Sequence, residues 1–417
     1  MLIANQYIDA VNDPTLPDAW LTAGEATARL GVKRETLYAY VSRGLVRSER
    51  VPGSRTSRFR RSDVERMAAR DPIRRGAGRL DVVVDSALTR LEPAGQLYYR
   101  GHDVVALARD ETYEGTANLL WVGSLGGPTT WEAPPGAVRV GARAQRALPA
   151  SAGITDRLHV IAAAVRTVDP LRDDRSRSAV VEHARELVAT LVDSLPEQSD
   201  APPLDAGIAA RLWPKLSPLP PTRARVDALD DALVLLSDHE LAASTLAARV
   251  AASTWADPYL VVLAGMSAAG GPLHGGASRA VRTLLAELRG GVPADTAIAE
   301  RLRQTNLVPG TGHPVYEGPD PRCGALLRSV DRLRPPKDLR AAMAAIVGYT
   351  ERRGTYPNVD FALGSFTELG EMVPDAGEAI YLVARTVGWI AHALEEYEHR
   401  LRFRPRAVYT GPAPVDD

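Results

Sequence analysis

From residue 104 onward, the apolar residues of this chain recur at spacings of three and four, and few segments alternate as a strand would. Residues 104–107, 117–121, 158–168 and 179–195 each carry the pattern, and a period near 3.6 places such residues on one face of a helix. Helices with one apolar face must bury it against other helices, so an all-α body is expected. Pro/Gly-rich breaks at 126–136, 196–203 and 213–221 are read as loops, and no fixed-period repeat is present. At 417 residues the chain exceeds the ~100–200 of one domain, and 45% hydrophobic with 24% charged residues is a globular balance.

The remaining composition narrows the setting. A single cysteine, Cys323, excludes an intramolecular disulfide and leaves no thiolate cluster for a metal. No metal site is expected. The first residues, MLIANQYIDAVNDP, carry acids where a signal peptide has a basic end, and the least polar run, 258–271, is too short and Gly-rich to cross a bilayer. A soluble cytoplasmic protein is expected.

Charge is distributed unevenly. Residues 21–75 hold fourteen Lys/Arg against six Asp/Glu, so this segment is +8 in a chain of net charge −1. A short basic module on an acidic body suggests nucleic-acid contact. Thr22 and Glu25 have the spacing of a capping box, and Gly31 stops a first helix of about two turns. A second helix is expected from Lys33 to Arg43 with Gly44 as its stop. Strand-like 45–49 and 57–60 flank a turn at 52–54, and a third helix is expected over 62–69. The order resembles the winged helix-turn-helix of the MerR and excisionase type. That resemblance implies double-stranded DNA as a partner, with Lys33, Arg34, Glu35, Thr36, Tyr38 and Arg43 of the second helix and Arg55, Arg58, Arg60 and Arg61 of the wing near bases or phosphates. Residues 71–79, DPIRRGAGR, read as a linker.

Three of the eight histidines lie in unusual settings: His239 in SDHELAAST, His274 in GPLHGGAS and His313 in PGTGHPVY. The last two sit in turns bounded by glycine and proline, where backbone can approach a ligand closely. A helix expected over 278–288 starts just after His274, and its positive end keeps an imidazole neutral and able to donate to an oxyanion. Downstream stand a carboxylate, Asp360 in YPNVDF, and arginines Arg322 in DPR, Arg385 in ARTVGWIAH, and Arg404 with Arg406 in RPRAVYTGP. Several arginines converging with histidines suit a small polyanion.

These segments, with LYYRGHDV ahead of them, resemble the signature segments of the citrate synthase family, in the family's order, over residues 82–412. The resemblance implies a mainly α fold with large and small helical domains, here preceded by the small winged helix-turn-helix domain at 1–75 with its linker to about 79. The large domain would take 80–274 and 367–417, and the small, moving domain 275–366. It implies condensation of acetyl-CoA with oxaloacetate and water to citrate and CoA, or of propionyl-CoA to 2-methylcitrate, in a homodimer with no cofactor beyond the thioester co-substrate. Asp360 would remove the thioester's methyl proton, His274 would stabilise the enol and His313 would polarise the ketone. His239, Arg322, Arg385 and Arg404 would hold the carboxylates of oxaloacetate, Arg404 from the partner subunit, and Gly310, Thr311 and Gly312 would face CoA.

The chemistry asks for such a pair independently, because an enolate beside a thioester needs a base on one side and a neutral donor on the other. Three positions depart from the family's spelling: Ala242 after the HEL segment, Ser278 in HGGAS, and Thr311 where an aromatic is usual. His102 stands in place of the family's tyrosine and is read as structural, and Cys323 as a small buried hydrophobe. An alternative function is a DNA-binding regulator whose synthase-like body senses oxaloacetate or an acyl-CoA.

Overall fold

The computed structural model describes residues 20–30, 32–42, 45–51, 56–61, 63–64, 83–271, 276–399 and 402–404. They belong to two compact units that divide between Asp85 and Ser86. The first unit contains β1 (Trp20–Thr22), α1 (Ala23–Leu30), α2 (Arg34–Ser42), β2 (Ser48–Arg50) and β3 (Ser57–Arg60). The expected capping box starts α1: Thr22 N and Oγ1 each donate to Glu25 Oε2 at 2.8 Å, and Glu25 N donates to Thr22 Oγ1 at 3.3 Å. β1 is unforeseen, since three residues carry no readable alternation. It pairs antiparallel with β3, Leu21 opposite Phe59, while β2 pairs with the other edge of β3. Leu21, Ala26, Leu30, Leu37, Val46, Phe59 and Val64 form the core of this unit. The turn at 52–54, the linker at 71–79 and the stops Gly31 and Gly44 lie outside the described residues, as does the third expected helix apart from Asp63 and Val64.

The second unit corrects the all-α expectation at its start. β4 (Thr89–Glu92), β5 (Gln96–Tyr99) and β6 (His102–Asp103) form an antiparallel meander, turning at Gly95 and at Arg100–Gly101, all with positive φ. Strands of four, four and two residues are too short for a period of two to show. Helices follow: α3 (Val104–Asp110), α4 (Tyr113–Val122), α5 (Pro135–Ala144), α6 (Ile154–Val165), α7 (Arg177–Asp193), α8 (Ile208–Leu216), α9 (Arg223–Leu236), α10 (Ala243–Ser253), α11 (Pro258–Ala269), α12 (Ala277–Arg289), α13 (Ala294–Thr305), α14 (Pro321–Arg332), α15 (Lys337–Arg353), α16 (Val359–Leu369) and α17 (Ala376–His399). Residues 213–216, expected in a loop, are helical instead. Pro214 sits in the last turn of α8 while Trp213 is buried and donates from Nε1 to Leu219 O at 2.7 Å.

α17 is buried on every side along most of its length and packs against α4, α6, α7, α9, α10 and α11. A second group, α12 and α14 to α16, packs chiefly within itself and meets the first mainly through α9 and α14, with further contacts of α14 to α3 and of α12 and α16 to α17. Among the described residues no helix is long and apolar enough to cross a membrane. Cys323 is buried, and burial pushes its thiol pKa well up.

Candidate active site

Two loops, 306–320 before α14 and 354–358 before α16, are sewn together by backbone bonds. Gly312 N donates to Tyr356 O at 2.8 Å, and Asn358 N donates to Gly310 O at 2.9 Å. Asn358 does more with its side chain: Nδ2 donates to Gly312 O at 2.8 Å, and Oδ1 caps α16 by accepting from Asp360 N at 3.0 Å. Gly310 has φ +75°, and a Cβ there would stand 2.6 Å from Val281 and 2.9 Å from the Phe361 backbone, so only glycine lets the loop reach this place. Thr311 turns its hydroxyl back to Val308 O at 2.8 Å.

This frame fixes His313. Its Nδ1 accepts from Val315 N at 3.1 Å and Tyr316 N at 3.2 Å, so the neutral ring carries its proton on Nε2. Burial, aided by the Arg322 guanidinium, lowers its pKa to about 4. His313 is therefore a neutral donor at pH 7. Its Nε2 lies 3.5 Å from Arg322 Nη2.

Arg322, in the first turn of α14, is buried and held by Asp320. The carboxylate accepts Nε at 3.0 Å and Nη2 at 2.9 Å, together with Val359 N at 3.0 Å. Burial alone would raise the Asp320 pKa, but Arg322 more than offsets it and keeps the carboxyl below its ordinary value. Tyr316 OH and His239 Nε2 are hydrogen-bonded at 3.0 Å, and the Tyr316 ring lies 4.5 Å from that of His313. Burial raises the Tyr316 hydroxyl to about 12, so it stays protonated. The rings of His239 and His313 meet edge-on at 5.3 Å.

Asp360 is half-buried in the first turn of α16. Burial raises its pKa to about 6, with Arg322 opposing and Asp320 adding. Arg385 is buried in α17: Nε donates to Leu236 O at 2.9 Å, the guanidinium lies 4.9 Å over Tyr381, and Nη1 is buried with no hydrogen-bond partner among the described residues. Both Arg322 and Arg385 act electrostatically on Tyr316.

The structure thus joins His239, His313 and Arg322 by direct contacts and places Asp360 and Arg385 within their field. His274 lies outside the described residues. Arg404 is not brought to this cluster. It is exposed, and its neighbour Phe403 donates to Ser253 Oγ at 3.4 Å, at the end of α10 away from His239. Ten residues of helix separate the two ends of α10, about 15 Å. His102 is an exposed strand residue. Tyr316, Asp320 and Asn358 were not singled out from the sequence, although all three stand inside segments read as functional. A cavity of about 180 Å³ opens among Gly312, His313, Tyr316, Asp320, Tyr356 and Asn358. A larger one, about 850 Å³ between α5, α7 and α11, contains none of these residues. Among the described residues no group of His, Cys, Asp and Glu is placed to hold a metal ion.

In the first unit, Lys33, Arg34 and Tyr38 are exposed at the start and along the outside of α2. Arg58, by contrast, pairs with Glu49 across the β2–β3 register and lies 5.3 Å over the Trp20 ring. Arg47 is held by Asp63 at 2.7 Å. Arg43 and Arg55 lie outside the described residues.

Fold and site together define a mainly helical enzyme. The family described as "Citrate synthase, C-terminal domain" matches residues 79–406, and "Helix-turn-helix domain" matches 20–72. A citrate synthase of Haloferax volcanii is 30% identical over 80% of this chain and 95% of its own length. A 2-methylcitrate synthase of Shewanella oneidensis is 27% identical over 79% and 93%. The crystal structure of a citrate synthase from Pyrobaculum aerophilum is 30% identical with TM-score 0.67, covering 80% of this chain and 92% of that one. The chain belongs to the citrate synthase family of acyl-transferring enzymes and carries an N-terminal helix-turn-helix domain.

Proposed function

We propose that the chain condenses acetyl-CoA with oxaloacetate and water to give citrate and CoA, and propionyl-CoA likewise to give 2-methylcitrate. The observation that carries this reading is the 3.5 Å approach of two donors, His313 Nε2–H and Arg322 Nη2. Two donors this close oppose each other unless an acceptor bridges both from the side, and a ketone with its adjacent carboxylate supplies two. The buried, unpartnered Nη1 of Arg385 asks for another.

In the reaction Asp360 takes the methyl proton of the thioester while His274 donates to its carbonyl oxygen, giving the enol. The enol carbon bonds to the ketone carbon that His313 polarises; the enol hydroxyl returns its proton to His274 as the thioester carbonyl re-forms, and the new alkoxide takes a proton from His313, which regains one as Asp360 gives up the proton it removed. Water then cleaves the thioester C–S bond and releases CoA as the thiol. His239, Arg322 and Arg385 hold oxaloacetate, Arg404 reaches in from the second subunit of a homodimer, and residues 310–312 face CoA. Residues 80–274 and 367–417 form the large domain and 275–366 the small one, whose closure keeps water from the thioester until condensation is complete. No cofactor enters these steps. Thiol release measured with acetyl-CoA and with propionyl-CoA, with and without oxaloacetate, tests the reading. Release that ignores oxaloacetate overturns it.

The N-terminal domain is proposed to bind double-stranded DNA, on the exposure of Lys33, Arg34 and Tyr38 along α2. Thr36, Arg43, Arg55 and Arg60 complete the proposed surface. Arg58 is withdrawn from it by Glu49 and Trp20.

A further inference from the structure

A second buried polar assembly begins one residue before His239. Asp238 is fully buried, and its Oδ2 accepts Thr89 Oγ1 at 2.5 Å and Glu240 N at 3.2 Å. His392 Nε2 lies 3.3 Å from Asp238 Oδ1 and 3.4 Å from Oδ2. On its other side, His392 Nδ1 accepts Arg249 Nη1 at 2.7 Å. Arginine only donates, so this bond fixes the tautomer and leaves Nε2–H facing Asp238. Arg249 is buried in α10 and donates to Glu396 Oε1 at 2.6 Å and Glu395 Oε2 at 2.8 Å. Along α17, Arg385, Gly388, His392 and Glu396 follow at spacings of three, four and four. One helix stripe therefore carries both a proposed substrate arginine and this chain.

The assembly converges on the turn that aims His239. Asp238 N donates to Tyr99 OH at 3.0 Å, and Tyr99 OH donates to Asp238 O at 2.8 Å. Gly388 N donates to Ser237 O at 3.0 Å. The residue after His239, Glu240, has φ +55°, a left-handed conformation unfavourable to a side chain with a Cβ. The bond from Glu240 N to Asp238 Oδ2 holds that turn. Burial would raise the Asp238 pKa, but His392 and Arg385 overcome it and keep the carboxyl below its ordinary value. Apolar packing of equal volume often serves stability as well as buried charges do, so cohesion alone does not account for this chain.

We propose that Asp238 and His392 are positioning residues: their contact fixes the turn at 237–240 and the neighbouring Arg385, and so sets where the substrate's carboxylates sit. The inference rests on the reading of His239 and Arg385 as oxaloacetate ligands. Neither Asp238 nor His392 touches the reacting atoms.

The test uses the full chain with His392→Leu, His392→Gln and Thr89→Val. Calorimetry gives oxaloacetate affinity, and kinetics give KM for each substrate. His392→Leu is expected to weaken oxaloacetate about tenfold or more, as loss of a hydrogen bond to a charged group does, with the acetyl-CoA KM nearly unchanged. His392→Gln, which can still place an amide donor near Asp238, is expected to recover most of the loss. A folded His392→Leu that binds oxaloacetate like wild type overturns the proposal, and so does a parallel shift of both KM values that Gln does not rescue. Thr89 is only partly buried, so Thr89→Val decides the matter if His392→Leu does not fold: an unchanged oxaloacetate affinity overturns the proposal. Histidine 15N spectra of the free protein read the positioning without substrate. The His239 signal is expected to move in Thr89→Val, and its constancy overturns the inference. Wild-type protein that does not bind oxaloacetate refutes the proposed function instead, and the spectra still judge the contact.

Discussion

A Cβ on Gly388 would stand 2.5 Å from Asp238 Oδ1 and 2.4 Å from Ser237 O, so α17 meets the His239 turn at a distance only glycine allows. The nearer obstacle is backbone and cannot swing aside. Gly388→Ala must therefore push α17 and the turn apart. It is expected to cost about 1–3 kcal/mol of stability, the range for overpacking a tight core, and to weaken oxaloacetate binding. Denaturant unfolding and the oxaloacetate KM measure both; an alanine variant equal to wild type in each would show that the contact is soft.

Asp360→Asn keeps the shape and removes the base. Turnover is expected to fall by about 10²–10⁴-fold, with oxaloacetate affinity nearly retained. Stability should move the other way. Burial raises the Asp360 pKa to about 6 from its ordinary 3.8, so in the folded protein the charged form is disfavoured. Its effect on stability is absent below the unfolded pKa and grows into a loss as pH rises from there to 6, reaching at most ~3 kcal/mol at pH 7. The Asn variant is therefore expected to unfold at a higher temperature than wild type at pH 7 and at the same temperature near pH 3.5. An Asn variant less stable at pH 7 would contradict the burial of this carboxylate.

The wild-type pH profile follows from the same two groups. With Asp360 near 6 and His313 near 4, kcat/KM is expected to fall about tenfold per unit below pH 6 as the base is protonated, while His313 remains a neutral donor. A profile flat to pH 5 would assign the proton abstraction to another group.

Long periods survive in sequence and short ones do not. The helix expected over 179–195 is α7, Arg177–Asp193, and the one expected over 278–288 is α12, Ala277–Arg289, because each repeats its apolar face several times. The β4–β6 meander never repeats enough to be read. Within the site, His239, His313, Arg322 and Arg385 stood out by their local spelling, whereas the Asp238–His392 contact joins residues 154 apart in the chain and left no local signal. Charge counting likewise does not reveal the partner of Arg58. Its pairing with Glu49 depends on the register of β2 against β3, which a sum of charges does not contain.

Arg404 tests the subunit arrangement. About 15 Å of α10 lies between its anchor and the His239 end of the helix, so on the proposed reading it serves a neighbouring subunit. Arg404→Ala is expected to weaken oxaloacetate binding. Mixed with Asp360→Asn under conditions that exchange subunits, it is expected to regain part of the wild-type activity, since one of the two sites in each hybrid then has both residues intact. Verified hybrids with no recovery would place Arg404 outside the site.

The N-terminal domain has its own core, Leu21 to Val64, and is a compact unit in itself, and no proposed catalytic residue precedes residue 85. Deleting residues 1–75 is expected to leave oxaloacetate-dependent thiol release close to wild type and to abolish retention on duplex DNA. In the intact protein, phosphate contacts by Lys33, Arg34, Arg43, Arg55 and Arg60 release counterions, so affinity is expected to fall with salt at a logarithmic slope of about −0.9 per contact made. Because Arg58 already has Glu49 as its partner and Trp20 beneath it, Arg58→Ala is expected to change this slope by less than Arg34→Ala does. A random-sequence duplex library titrated at low salt gives the slope for each variant. Equal losses from the two substitutions would mean that Arg58 leaves Glu49 for a phosphate, and no retention by the intact protein would make the domain a structural appendage.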